Sequence, residues 1–138
     1  MRFTDSWDIA REGMLSYTAV PDLAKLGFEI MAFTFANWRH DLYPVEKPNR
    51  VKAYLAKHPN IIFISTGSGL GSDRMAVSLH KDYADYMKFI QEGKGEWGNH
   101  VERSGSFIVS LKSDTVLRNL AFAQLSGLFK SEQGLGKK

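Results

Sequence analysis

The chain has 138 residues, an apolar share of 43% and a formal net charge of +3, which fits one folded domain and excludes an intrinsically disordered chain. It has no cysteine, so disulfide frameworks, thiolate metal centres and cysteine nucleophiles are ruled out, and a reducing, cytoplasmic setting fits. The charge is too slight to argue for nucleic-acid binding, part of it sits in Lys130, Lys137 and Lys138, and neither a membrane-length apolar run nor a signal-peptide pattern is present.

Residues 4–12 read as a short polar segment in which Asp5 or Ser6 caps one or two helical turns and Gly13 stops them. Residues 14–20 alternate Leu15, Tyr17 and Ala19 with polar neighbours, which predicts a strand ended by a Pro21-Asp22 turn. Residues 23–26 predict one turn of helix closed by Gly27. Residues 28–38 predict the first strong strand. Phe28, Ile30, Ala32, Thr34, Ala36 and Trp38 share one face and Met31, Phe33 and Phe35 the other, so both faces are expected to be covered. After a polar loop over 39–46, Pro48 suits the first turn of a helix running to His58, and Pro59-Asn60 ends it. Strands are predicted over 61–66 and 74–80, and a helix capped by Asp82 over 82–92, broken by Gly93-Lys94-Gly95. A long strand over 101–112 and a last helix from Ser113-Asp114 to Phe129 complete the series, with a frayed tail after it.

From Phe28 onward the order is β-α-β-β-α-β. That is the ferredoxin-like α+β pattern, an antiparallel sheet with both helices on one face, here extended by a short N-terminal strand arm and a C-terminal helix. The organisation expected is an arm over 1–27, a ferredoxin-like body over 28–112, a helix over 113–130 and a tail over 131–138. Phe33, Phe35 and Val109 are candidates for the open face of the sheet. Packing two copies sheet against sheet, as a dimeric α+β barrel, would bury that face.

The chief functional signal is the run from Ile61 to Leu79. Two β-rich stretches flank Gly67-Ser68-Gly69-Leu70-Gly71-Ser72, followed by Asp73-Arg74. Two readings stand side by side. In one the glycines supply the positive φ of a hairpin turn and Asp73 and Arg74 form a solvated ion pair. In the other Gly67, Ser68, Gly69, Gly71, Asp73 and Arg74 contact a small ligand: the loop amides take its carboxylate and Asp73 its ammonium, or Arg74 pairs the carboxylate. A dinucleotide fingerprint is excluded, because that motif needs a helix after the glycines and a strand follows here. His40, His58, His80 and His100 are scattered without metal-ligand spacing, no acid–base pair stands out, and neither a metal nor another cofactor is expected. His58 suits a helix C-terminus, and His80, at a strand end, reads as a satisfied surface residue. Gly105-Ser106-Phe107-Ile108-Val109 faintly echoes an RNA-recognition core, but it lies on the last strand and basic neighbours are sparse, so packing explains it better.

Several stretches resemble one family. EGMLSYTAVPDLAKLGFEIMAF (residues 12–33) is similar to the junction that follows the winged helix-turn-helix in the leucine-responsive regulatory protein/AsnC family. VKAYLAKHPNII (51–62) resembles the helix-then-strand entry of that family's effector domain. TGSGLGSD (66–73) resembles the turn where its members hold an amino acid, and SFIVSL (106–111) fits its long strand. The likeness spans residues 12–112, and archaeal branches look closest. It implies a regulatory, non-enzymatic domain that binds a small molecule, an amino acid above all, and forms homodimers or larger homo-oligomers. The family's turn is shorter and less rich in glycine than this one. Little room precedes Gly13 for a helix-turn-helix, so DNA is expected as a partner only through a missing or separate one, and no membrane is expected. Two other functions fit the same fold: a small dimeric α+β barrel enzyme of the oxygenase or haem type built around His80 and His100, and an oligomerisation module without a ligand.

Overall fold

The computed structural model describes residues 22–39, 48–120, 124–125 and 127–128. Six elements follow in the expected order: β1 (Ile30–Trp38), α1 (Pro48–Lys57), β2 (Ile61–Gly69), β3 (Ser72–His80), α2 (Tyr83–Trp97) and β4 (Val101–Ser110). The strands form one antiparallel sheet in the order β2-β3-β1-β4, which is the ferredoxin-like α+β arrangement. Asp22–Val116 is one unit, and the two ends of the chain belong to a second. The segments predicted over 4–12 and 14–20, most of the 39–46 loop, the end of the last helix and the tail lie outside the described residues.

Local chemistry explains the boundaries. The Asp22 carboxylate accepts from the Lys25 N–H, and Leu26 and Gly27 close the predicted turn by donating to Asp22 and Ala24 carbonyls. At the start of α2, Asp82 accepts from the Asp85 N–H at 2.7 Å while Asp85 accepts from the Lys81 N–H. This reciprocal pairing resembles a capping box.

Two helix boundaries differ from expectation by more than one residue. Gly93-Lys94-Gly95 does not end α2, which continues to Trp97. Each helical glycine costs about 1 kcal/mol, but the extra turn is held from outside. Arg50 donates to the Glu96 carbonyl at 2.6 Å and to its carboxylate at 3.2 Å, and its guanidinium lies 4.4 Å over the Trp97 ring. The last helix also does not begin at Ser113-Asp114. Residues 111–120 are turns and bends, and among the residues that follow Leu125, Gly127 and Leu128 are helical. The Ser113 hydroxyl accepts from the Thr115 N–H and bonds the Thr115 hydroxyl, the local competition by which Ser and Thr disfavour a helix start one residue later.

The two faces of the sheet differ. On the helix-covered face Ile30 pairs with His80 and Ala32 with Ser78, and all four are buried. On the other face Met31, Val77 and Leu79 are buried, with Leu23, Phe28, Phe33, Met75 and Val109 packed against them. One row on this face runs Phe63–Val77–Phe33–Phe107 across all four strands in direct register. Its ends are open, Phe63 at 53% and Phe107 at 67% exposure. No helix among the described residues is long and apolar enough to cross a membrane.

Candidate functional site

The glycine-rich stretch is a tight hairpin. β2 extends through Gly69 and β3 begins at Ser72, leaving Leu70-Gly71 as a two-residue connection. Both turn residues have positive φ, 54° and 67°, as a type I′ turn requires. That turn matches the twist of the flanking strands. Gly69 enters it at φ 150°, a conformation reserved for glycine. Gly67 and Ser68 are therefore exposed strand residues, and the loop amides expected to cradle a ligand partly belong to the sheet edge.

Asp73 and Arg74 are drawn to Trp38. The Asp73 carboxylate accepts from the Trp38 N–H at 3.2 Å, and the Arg74 guanidinium lies 4.5 Å over the indole. Arg74 Nε is 3.7 Å from the Asp73 carboxylate. Trp38 in turn packs on Trp97 and His100, at 5.8 and 5.2 Å between ring centres. His100 bonds Arg50 at 3.3 Å. An aromatic and guanidinium clasp thus ties β1, β3, α1, α2 and the entry to β4 behind the hairpin.

In front of the hairpin lies a cavity of about 300 Å3. Its apolar lining is Phe35, Phe107 and Leu70, its charged lining is Arg103, and Ser72, Ser104, Gly105 and Ser106 complete the wall, with the Ser106 hydroxyl bonded to that of Thr34 at 3.2 Å. Register explains why it exists: Phe35 pairs with Gly105, so no side chain fills the space beside its ring. Arg103 arches over from β4 and donates to the Gly71 carbonyl at 2.5 Å, leaving its other N–H groups for an anion. The volume and the mix of one guanidinium and two phenyl rings suit a small amphipathic anion. Of the residues predicted to contact a ligand, Gly71 is brought beside this cavity by Arg103. Gly67, Ser68 and Gly69 shape the strand that leads to it, and Asp73 and Arg74 lie against Trp38. Arg103 escaped the sequence reading, which took Phe35 and Phe107 for sheet packing rather than ligand contact. Gly105 inside a strand was the available signal, because such a glycine often marks a close approach.

No family model matches the sequence, and no curated protein matches it. Solved structures match in fold. An AsnC family transcriptional regulator from Agrobacterium tumefaciens superposes with a TM-score of 0.59 at 12% identity, over 90% of this chain and 76% of that one. A transcriptional regulator from Neisseria meningitidis, solved as an L-Met complex, gives 0.59 at 14% identity over 88% and 76%. E. coli AsnC gives 0.57 at 11% identity over 85% and 74%. The chain has the fold of the AsnC-type regulators.

Within this AsnC-type fold the histidines take structural places. His58 follows α1 as expected, bonded through Nδ1 to the Tyr54 carbonyl and through Nε2 to Glu92. Burial and the carboxylates of Glu92 and Glu96 raise the pKa of the neighbouring Tyr54 phenol. His80 is not a surface residue. It is wholly buried, bonded through Nε2 to the Ser78 hydroxyl at 2.8 Å and enclosed by the rings of Tyr86 and Phe89. The strand-end position misled because α2 folds directly back over it. His40 lies outside the described residues. No group of three or more potential metal ligands occurs among the described residues.

Proposed function

We propose that this AsnC-type chain is a regulatory module that binds an amino acid at the hairpin cavity and acts as a homo-oligomer. The observation that carries the reading is the cavity itself. Arg103 offers a guanidinium to a carboxylate, and Phe35 and Phe107 offer rings to an apolar side chain. The fold-level likeness to a regulator solved with L-Met supports an amino acid as the ligand class. The exposed rings of Phe63 and Phe107, at the two ends of the apolar row, support pairing of two copies face to face. A ligand that binds one assembly better than another shifts the population between them. None of the described elements forms a helix-turn-helix, so an effect on DNA would pass through one outside them.

The enzyme reading gains no support from the geometry. Neither the hairpin cavity nor a second cavity, lined by Pro59, Asn60, Leu79, Lys81 and Phe89 among others, has His80 or His100 in its lining.

A thermal-shift series with the individual amino acids tests the proposal. At least one is expected to raise the Tm in a concentration-dependent way. Arg103→Gln is expected to weaken that ligand about tenfold or more, the usual loss for a charge-assisted bond. No shift with any amino acid would refute the ligand assignment. A shift that Arg103→Gln leaves intact would move the site elsewhere.

A further inference from the structure

We infer that the cavity at the end of the sheet away from the hairpin is a second ligand site, which takes a monocarboxylic acid with an apolar body. β3 runs nine residues from the hairpin to this cavity, about 25 Å at the rise of a strand. The two sites are therefore separate, and the inference is independent of the reading given for the hairpin cavity.

The cavity forms where three segments meet. The Leu79 N–H donates to the Asn60 carbonyl at 2.9 Å and the Glu29 N–H to the His80 carbonyl at 3.0 Å. These bonds hold the entries to β1 and β2 against the end of β3, and α2 folds back over them. Lys81, Asp85, Lys88, Phe89 and Glu92 recur at the helical spacings of three and four, so one side of α2 turns all of them toward the opening. The space left is about 450 Å3, walled by Phe28, Pro59, Leu79 and Phe89. That volume lies in the range of small-molecule sites.

The polar groups that remain unbonded decide the ligand. In number the charges of the lining cancel, two lysines against two carboxylates. Both carboxylates are engaged: Asp85 accepts from the Lys81 N–H at 3.1 Å, and Glu92 meets His58 Nε2 at 3.2 Å. The helix start is occupied as well, since the Asp85 N–H donates to Asp82. The Lys81 and Lys88 ammonium groups have no hydrogen-bond or ion-pair partner among the described residues. Both lysines are exposed, so they stand at the rim with the apolar walls behind them. An anionic head at the rim and an apolar body inside satisfy both features. A single charge suits the site better than a phosphate, whose charge is about twice as large and is repelled more by Asp85 and Glu92. An α-ammonium would lie beside Lys81 and Lys88, which sets this ligand apart from the amino acid proposed for the hairpin cavity.

Isothermal titration with phenylpropionate and with octanoate tests it. At least one is expected to bind the wild type and Arg103→Gln alike. The double variant Lys81→Gln/Lys88→Gln is expected to weaken that binding about tenfold or more, the usual loss for charge-assisted contacts. Glutamine is a helix former comparable to lysine and both positions are exposed, so the Tm of the unliganded double variant is expected to stay at the wild-type value. The matching alcohol, phenylpropanol or octanol, is expected to bind about tenfold more weakly than its acid. Failure of the hairpin reading shows in the amino-acid series and leaves these results in place. The inference is overturned if neither acid binds at millimolar concentration, or if binding survives the lysine double variant. Loss of binding in Arg103→Gln overturns it too, by placing the acid in the hairpin cavity. So does phenylalanine, the same body with an ammonium, binding Arg103→Gln as tightly as phenylpropionate.

Discussion

Trp38→Ala is expected to cost about 3–5 kcal/mol of stability, the range for removing a large buried aromatic. Trp38 is buried at the end of β1. Its ring is shared by Trp97, His100 and the Arg74 guanidinium, and its backbone N–H is held by Asp73. Truncation opens a cavity and removes the surface on which Arg74 is stacked, a contact worth about 0.5–2 kcal/mol by itself. The loss is a large share of a typical domain's net stability. Trp38→Phe keeps a ring in place and is expected to cost less than half as much. Urea unfolding measures both. A loss below about 1 kcal/mol for Trp38→Ala would show that the clasp behind the hairpin is not what holds β1, β3 and α2 together.

Acidification is expected to destabilise the fold through His80. Burial holds its pKa below the usual 6.5, and the attraction of Asp85 opposes that shift without reversing it. The surroundings offer little to a cation. Nε2 faces the Ser78 hydroxyl, Tyr86 and Phe89 cover the ring, and Nδ1 has no hydrogen-bond partner among the described residues. The sign follows from linkage. Between 6.5 and the lower folded value the unfolded chain binds more protons than the native one, so stability falls as pH falls through that window. Above 6.5 this contribution is complete. His80→Phe removes the titrating group, and the part of the pH slope that begins near 6.5 is expected to vanish from its urea-midpoint profile. An unchanged slope would mean that another group carries the acid sensitivity.

Much of the fold was legible because the signals were local and redundant. The two-sided apolar strand at residues 28–38, the Pro48 and Asp82 helix starts and the glycine-rich hairpin each follow from periodicity or backbone chemistry. The misses share a different cause, which is contact at a distance. Helix α2 outlasts its glycines because Arg50, far away in sequence, grips Glu96 and Trp97. His80 is buried because a helix that starts three residues later turns back over it. Asp73 and Arg74 looked available to a ligand because nothing in their own segment foretells Trp38. The hairpin cavity depends on the pairing of Phe35 with Gly105, and register is a property of the assembled sheet. Ser113 errs the other way: a residue able to cap a helix closes a local turn with Thr115 instead.

The open face, with Phe33 and Phe107 on one row, is expected to be buried between two copies of the chain. The most direct measurement is the solution mass of the wild type beside Phe107→Lys. The wild type is expected at no less than twice the 15.6 kDa of one chain, and Phe107→Lys at a lower mass at equal concentration because its face-to-face contact is weakened. A wild type that remains at the mass of one chain at every concentration would contradict it.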